Sequence, residues 1–211
     1  MLDDEQNDGI SRKNFIVTVG LGALALPAAM GAARADAQEA PAKARPLKLT
    51  PRCDDGDEPT PPQTEGPYFK PNSPQRTSLL EPGTAGTRLT ITGIVYTRSC
   101  NPVNAALLDF WQCDAYGRYD NYGYRLRGHQ YSDAAGRFSL TTIRPGLYPG
   151  RTRHIHVKLQ APNRPILTTQ LYFPGEPRNQ TDPIFDPDLV MAVQNGPAGL
   201  TATFDFMLDL P

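Results

Sequence analysis

A chain of 211 residues is long enough for one domain with a real core and too short for two large ones. Its 21 Lys and Arg against 22 Asp and Glu leave a net charge of -1, so no overall field favours nucleic acid or an anionic membrane. The 22 Pro and 18 Gly beside a 39% hydrophobic content favour many turns over long helices and still permit a core.

In chain order, residues 1–37 have the three-part layout of an export signal. A polar start ends in Ser11-Arg12-Lys13-Asn14-Phe15, an apolar run covers 16–29, and small residues follow as Ala33-Arg34-Ala35 and Ala35-Asp36-Ala37. The run contains Gly20, Gly22 and Pro27 and is shorter than the roughly 20 apolar residues of a membrane span, so no stable membrane anchor is expected after processing. Ser-Arg-Lys-x-Phe resembles a twin-arginine signal, with Lys13 in place of the second arginine. The chain is accordingly expected to be exported, periplasmic or secreted. In an oxidising compartment cysteines tend to pair. Of Cys53, Cys100 and Cys113, the short connection over 101–105 favours Cys100 with Cys113.

Residues 38–63, with Pro41, Pro46, Pro51, Pro59, Pro61 and Pro62, carry no apolar period and read as an extended arm. From Thr64 to the end the pattern changes to short strands between turns. Alternating or apolar runs over 89–96, 106–113, 137–143, 154–160, 166–173 and 201–208 predict strands. Asp114-Ala-Tyr-Gly117 and Asp133-Ala-Ala-Gly136 supply the turns between them. The expectation for 64–211 is an all-β domain, a β-sandwich of short antiparallel strands with long functional loops.

Two of the three histidines form His154-Ile155-His156. On a strand, residues two apart share a face, so both imidazoles can point at one ion. The residues 157–162 hold no acid, which argues against a ferrous facial-triad or cupin-type site. Three completions stay open at this point. His129 in Arg127-Gly-His-Gln-Tyr131 can be a third ligand, as in another class of metalloenzyme. The pair can be packing residues in an exported binding or structural domain without catalysis. Or Tyr119 and Tyr148, each beside a turn, can join it. Two tyrosinates and a hydroxide would neutralise a trivalent ion, which in turn keeps the phenols ionised.

Here the chain resembles the intradiol ring-cleavage dioxygenases, the catechol and protocatechuate 3,4-dioxygenase group. The resemblance runs through Thr64-Glu-Gly-Pro-Tyr-Phe69, Asp109-Phe-Trp-Gln-Cys-Asp-Ala-Tyr-Gly-Arg-Tyr-Asp-Asn121, Thr142-Ile-Arg-Pro-Gly-Leu-Tyr148, Arg151-Thr-Arg-His-Ile-His156 and Leu167-Thr-Thr-Gln-Leu-Tyr-Phe173. It implies one non-haem ferric ion per chain, held by Tyr119, Tyr148, His154 and His156. Arg151 and Gln170 would line the substrate cavity, with Tyr68 contributing to substrate binding. The implied substrates are a small catechol and O2, cleaved between the two hydroxylated carbons to a muconate-type dicarboxylic acid, with Tyr148 yielding its place as the catechol binds. Family members occur as homomers and heteromers, which leaves a homo-oligomer open for this chain.

Overall fold

Apolar residues at alternate positions need a surface to cover, and in this chain two sheets cover each other. The computed structural model describes residues 58–211; the expected export signal over 1–37, most of the expected 38–63 arm and Cys53 lie outside the described residues. Among the described residues nine strands occur in chain order: β1 (Arg88–Thr97), β2 (Leu107–Trp111), β3 (Arg127–Tyr131), β4 (Arg137–Ile143), β5 (His154–Gln160), β6 (Leu167–Tyr172), β7 (Ala192–Gly196), β8 (Gly199–Thr203) and β9 (Phe206–Leu208). One sheet has the order β4-β1-β8-β7, with β9 also beside β1; the other runs β3-β2-β5-β6. Leu89, Ile91, Val95, Leu140 and Phe206 of the first sheet meet Leu108, Phe110, Ile155, Val157, Leu159 and Leu171 of the second in one buried cluster. Each such side chain contributes roughly 1.5–3 kcal/mol by leaving water.

The strands over 137–143 and 154–160 form with the expected bounds, and those over 89–96, 106–113 and 166–173 differ by a residue or two at their ends. The run over 201–208 is not one strand. It breaks at Phe204 and Asp205, where the Phe204 carbonyl presses on β1 so closely that a Cβ on Gly93 would lie 1.8 Å from it. At the break the Asp205 carboxylate accepts from the Ile94 N–H at 2.8 Å, replacing the missing ladder bond. The halves, β8 and β9, both run parallel to β1, so the sandwich is mixed rather than wholly antiparallel. β3, Arg-Gly-His-Gln-Tyr, lacks apolar alternation because one of its faces carries Arg127, His129 and Tyr131. β7 is a largely exposed edge in which Val193 alone packs toward the core, too little to make an apolar alternation.

The expected Cys100–Cys113 disulfide is not formed. Cys100 is disulfide-bonded, while Cys113 is a free, buried thiol. The short turn after Cys100 leads from one sheet to the other, and the five residues of β2 then carry the chain about 17 Å onward at the usual rise per residue. That exceeds the roughly 7 Å over which a disulfide can close.

The end of the arm is part of the domain. Thr60 N–H donates to the Met207 carbonyl at 2.9 Å and Gln63 N–H to that of Thr168 at 2.8 Å. The chain then crosses the outer face of the second sheet, with Phe69 against Trp111, and reaches the free edge of β3, where Arg76 N–H donates to His129 O and His129 N–H to Pro74 O. This covered outer face, opposite the core, holds the candidate site.

Candidate active site

β5 pairs with β2 and β6 so that Trp111 lies across from His156, and His156 across from Gln170. Ile155, Val157 and Leu159 enter the core, so strand alternation turns His154 and His156 to the other face, where both are buried. The Trp111 ring stacks on His156 at 4.7 Å between centroids and 5° between planes. His154 Nδ1 lies 2.7 Å from the Thr152 carbonyl; a carbonyl can only accept, so Nδ1 carries the proton and Nε2 presents its lone pair. The Tyr119 hydroxyl sits 3.2 Å from His154 Nε2 and 3.2 Å from His156 Nε2.

Two glycines bring the tyrosine-bearing loops together. Gly117 has φ +81° and Gly146 donates from its N–H to the Asp114 carbonyl at 2.8 Å. A Cβ on Gly117 would lie 2.4 Å from the Leu147 carbonyl oxygen, and one on Gly146 2.4 Å from the Gly117 nitrogen. Only backbone fits between them. The loops thereby place the Tyr119 and Tyr148 rings 5.7 Å apart. Tyr68 stacks on Tyr119 at 4.4 Å, and its hydroxyl is 2.8 Å from that of Tyr148. Tyr119, His154 and His156 thus meet directly, and Tyr148 stands beside them with its hydroxyl on Tyr68.

Arg151 and Gln170 are also neighbours, with Arg151 Nη2 donating to Gln170 Oε1 at 2.8 Å. Arg153 goes elsewhere: its Nε donates to Glu176 at 2.8 Å and its Nη1 to the Pro145 carbonyl. His129 is not brought to the cluster. It lies on β3 beyond β2, with Nδ1 3.1 Å from Ser73 Oγ, which itself donates to Asp109 at 2.8 Å. A site built on three histidines is therefore not what the fold assembles.

Several residues here were not visible as functional in the sequence. Arg127 is buried and spends its guanidinium on main-chain carbonyls, Nη1 to Tyr68 at 2.5 Å and Nη2 to Asp120 at 3.0 Å. It ties the segment carrying Tyr68 to the turn after Tyr119. Asp182, on the loop after β6, accepts from Arg151 Nε and the Thr152 N–H, each at 2.8 Å. Nothing in their local sequence announces either role; Trp111, by contrast, falls within a motif and follows from the pairing register.

Burial controls the charge of the cluster. It pushes the Tyr119 phenol far above its ordinary 10, His154 down to about 4 and His156 well below its ordinary 6.5, with His154 lowering it further. By itself the chain keeps these groups neutral, and an ionised Tyr119 needs a positive charge brought to it. Burial would also raise Asp182, but the Thr152 and Ile184 N–H groups and Arg151 outweigh it and hold the carboxyl below its usual range.

These donors fit a hard cation. One Tyr119 proton can satisfy one of two imine nitrogens, and His156 Nδ1 is buried without a partner among the described residues. Two phenol oxygens and two imidazoles, with the Cys113 thiol turned to the Gly146 carbonyl at 3.5 Å, suit a trivalent ion better than a soft one. No group of three or more His, Cys, Asp or Glu able to hold a metal occurs among the described residues. A metal at this site has to use tyrosine.

Comparison with known proteins agrees with this geometry. A family profile described as dioxygenase matches residues 64–210. The protocatechuate 3,4-dioxygenase beta chain of Burkholderia cepacia is 37% identical over 118 residues, 47% of this chain and 50% of that protein. The dioxygenase domain of a dioxygenase carbohydrate-binding protein fusion from Streptomyces sp. SirexAA-E superposes with a TM-score of 0.72 at 61% identity, covering 73% of this chain and all of that one. The 3-chlorocatechol 1,2-dioxygenase of Rhodococcus opacus superposes with a TM-score of 0.67 at 27% identity, over 72% of this chain and 73% of that chain. The chain spans about half the length of the curated relatives it matches. With the profile covering most of its length and the aromatic and histidine cluster in place, the chain belongs to the intradiol ring-cleavage dioxygenase family.

Proposed function

We propose that this protein is an exported non-haem ferric dioxygenase that cleaves a catecholic ring between its two hydroxylated carbons with O2, giving a muconate-type dicarboxylic acid. The observation that carries the reading is the convergence of the Tyr119 hydroxyl on both His154 Nε2 and His156 Nε2 at 3.2 Å, with Tyr148 alongside. Relatives named for chlorocatechol and hydroxyquinol support a catechol-type substrate. The disulfide at Cys100 supports an oxidising compartment, and the 1–37 leader the export that leads there.

Tyr119, Tyr148, His154 and His156 are the residues that would hold the ion. Ferric iron bound there supplies Lewis acidity that draws electron density from a catecholate and makes its ring reactive toward O2. The Thr152 carbonyl keeps His154 in the tautomer that offers Nε2, and Trp111 fixes the His156 ring and keeps water from its face. Tyr148 Oη, within hydrogen-bond reach of Tyr68 Oη, would, as the tyrosinate it becomes beside the ion, accept a proton from an entering catechol, with Tyr68 as its hydrogen-bond partner. Arg151, a permanent cation held against Gln170, stabilises negative charge developing on the ring. Tyr68, stacked on Tyr119, flanks the ring's path.

The test is visible absorption. The iron-loaded protein should be red to burgundy from tyrosinate-to-iron charge transfer, and Tyr119→Phe should bleach or shift the band while His129→Ala leaves it in place. A colourless protein carrying stoichiometric zinc, or a band indifferent to Tyr119→Phe, would overturn the reading.

A further inference from the structure

The β5 approach carries two arginines, Arg151 and Arg153, and two buried carboxylates sort them. Glu176 takes Arg153 at 2.8 Å and Asp182 takes Arg151 at 2.8 Å. Asp182 has no exposed side-chain surface, and both its oxygens are occupied. Oδ2 accepts from Arg151 Nε and Thr152 N–H, each at 2.8 Å, and Oδ1 from Ile184 N–H at 3.2 Å. Arg151 Nη2 meets Gln170 Oε1 at 2.8 Å and the Tyr172 hydroxyl at 3.3 Å. Nη1 is then the guanidinium nitrogen that no described residue engages.

We propose that Asp182 is a positioning residue, which locks the Arg151 guanidinium so that Nη1 faces the substrate ring and steers Arg151 away from the partners that claim Arg153. This rests on the assignment of Arg151 as the cation at the substrate. An arginine held by one contact keeps much of its rotamer freedom, which would have to be lost on substrate binding. Carboxylate at Nε and amide at Nη2 fix the planar fork beforehand, so ordering is not charged against catalysis. The same Asp182 oxygen holds the N–H of Thr152, the residue whose carbonyl accepts from His154 Nδ1–H. One side chain therefore aligns the substrate-side cation with a histidine of the cluster.

Arg151→Ala opens a space bordered by Asp182 Oδ2, Gln170 Oε1 and the Tyr172 hydroxyl, a set of acceptors suited to a free guanidinium ion. Calorimetric titration of metal-free Arg151→Ala protein with millimolar guanidinium chloride should show saturable binding, at least tenfold tighter than that of urea, the neutral isostere. The double variant Arg151→Ala/Asp182→Asn should lose at least tenfold of the guanidinium affinity. In iron-loaded protein, with turnover expressed per bound iron, guanidinium should restore activity to Arg151→Ala and not to the double variant. Equal binding of guanidinium and urea by the single variant, or equal rescue of both variants, would overturn the proposal. The urea comparison needs no Asp182 variant to fold. For the unaltered protein, the Arg151 Nε–H signal in nitrogen-resolved NMR should exchange slowly with solvent, and fast exchange would equally overturn it. Guanidinium binding without any ring cleavage would leave the role of Asp182 standing and the proposed reaction refuted.

Discussion

Gly117→Ala tests whether backbone contact between two loops is what brings the two tyrosines together. Gly117 has φ +81°, a region where an alanine costs about 1–2 kcal/mol. Its new Cβ would lie 2.4 Å from the Leu147 carbonyl oxygen, against 3.4 Å for ordinary contact, so the loops must part by about 1 Å. The Gly146 N–H to Asp114 bond at 2.8 Å lies across that seam, and weakening it costs about another 1 kcal/mol. The expected total is about 2–3 kcal/mol, which lowers the Tm of a domain of this size by roughly 5–10 °C. Gly83→Ala is the control, because Gly83 has φ +80° and nothing within 4 Å of its Cβ position; it carries the strain without the collision and should cost about 1–2 kcal/mol. Thermal unfolding of the metal-free variants measures the difference, and the visible band of the iron-loaded ones reports whether Tyr148 has moved from Tyr119. If the two alanine variants unfold alike and keep the same band, loop contact does not position the tyrosines.

Three further outcomes follow from the same geometry. His154 is lowered to about 4 from 6.5 by burial, so the unfolded chain takes up a proton that the native state refuses. Metal-free protein should therefore lose on the order of 2–3 kcal/mol as pH falls from about 6.5 to about 4, with His156 adding in the same direction; equal urea midpoints at both ends of that window would contradict it. Arg151→Ala should retain iron and colour while turnover falls by roughly two to three orders of magnitude, the scale for removing one preorganised electrostatic group. Arg153→Ala should do much less, and oxygen uptake per bound iron compares them. Cys113, buried with its thiol raised to about 11, should resist iodoacetamide in the native protein and react on unfolding; rapid native labelling would refute its placement.

What could be read in advance depended on how local the signal was. Strand alternation over 137–143 and 154–160 was legible because each run buries one face, and His-x-His was legible because two residues apart means one side of a strand. Tyr119 and Tyr148 fall beside turns, and their meeting depends on Gly117 and Gly146 opposing each other across loops nearly thirty residues apart, which the family resemblance supplied and periodicity could not. The strand β3 hid because its side chains are polar on both faces, Arg127 and His129 toward the covered face and Gln130 behind. The pairing of Cys100 is not legible from sequence spacing, because the turn after Cys100 crosses between sheets and carries Cys113 away from it. Arg127 and Asp182 had no local signature, since each acts on backbone or side chains brought near by the fold alone.

Whether Tyr119, Tyr148, His154 and His156 hold a ferric ion at which a catechol ring is opened between its hydroxylated carbons is decided by isotope incorporation. Iron-loaded protein is incubated with catechol under ¹⁸O2 and the products are weighed by mass spectrometry. The expected product is a cis,cis-muconate-type dicarboxylic acid carrying both ¹⁸O atoms, one in each new carboxyl group, with no such product from Tyr119→Phe protein without bound iron. Unreacted substrate with catechol, hydroxyquinol, protocatechuate and chlorinated catechols alike, or a ring opened beside the diol rather than within it, would contradict that assignment.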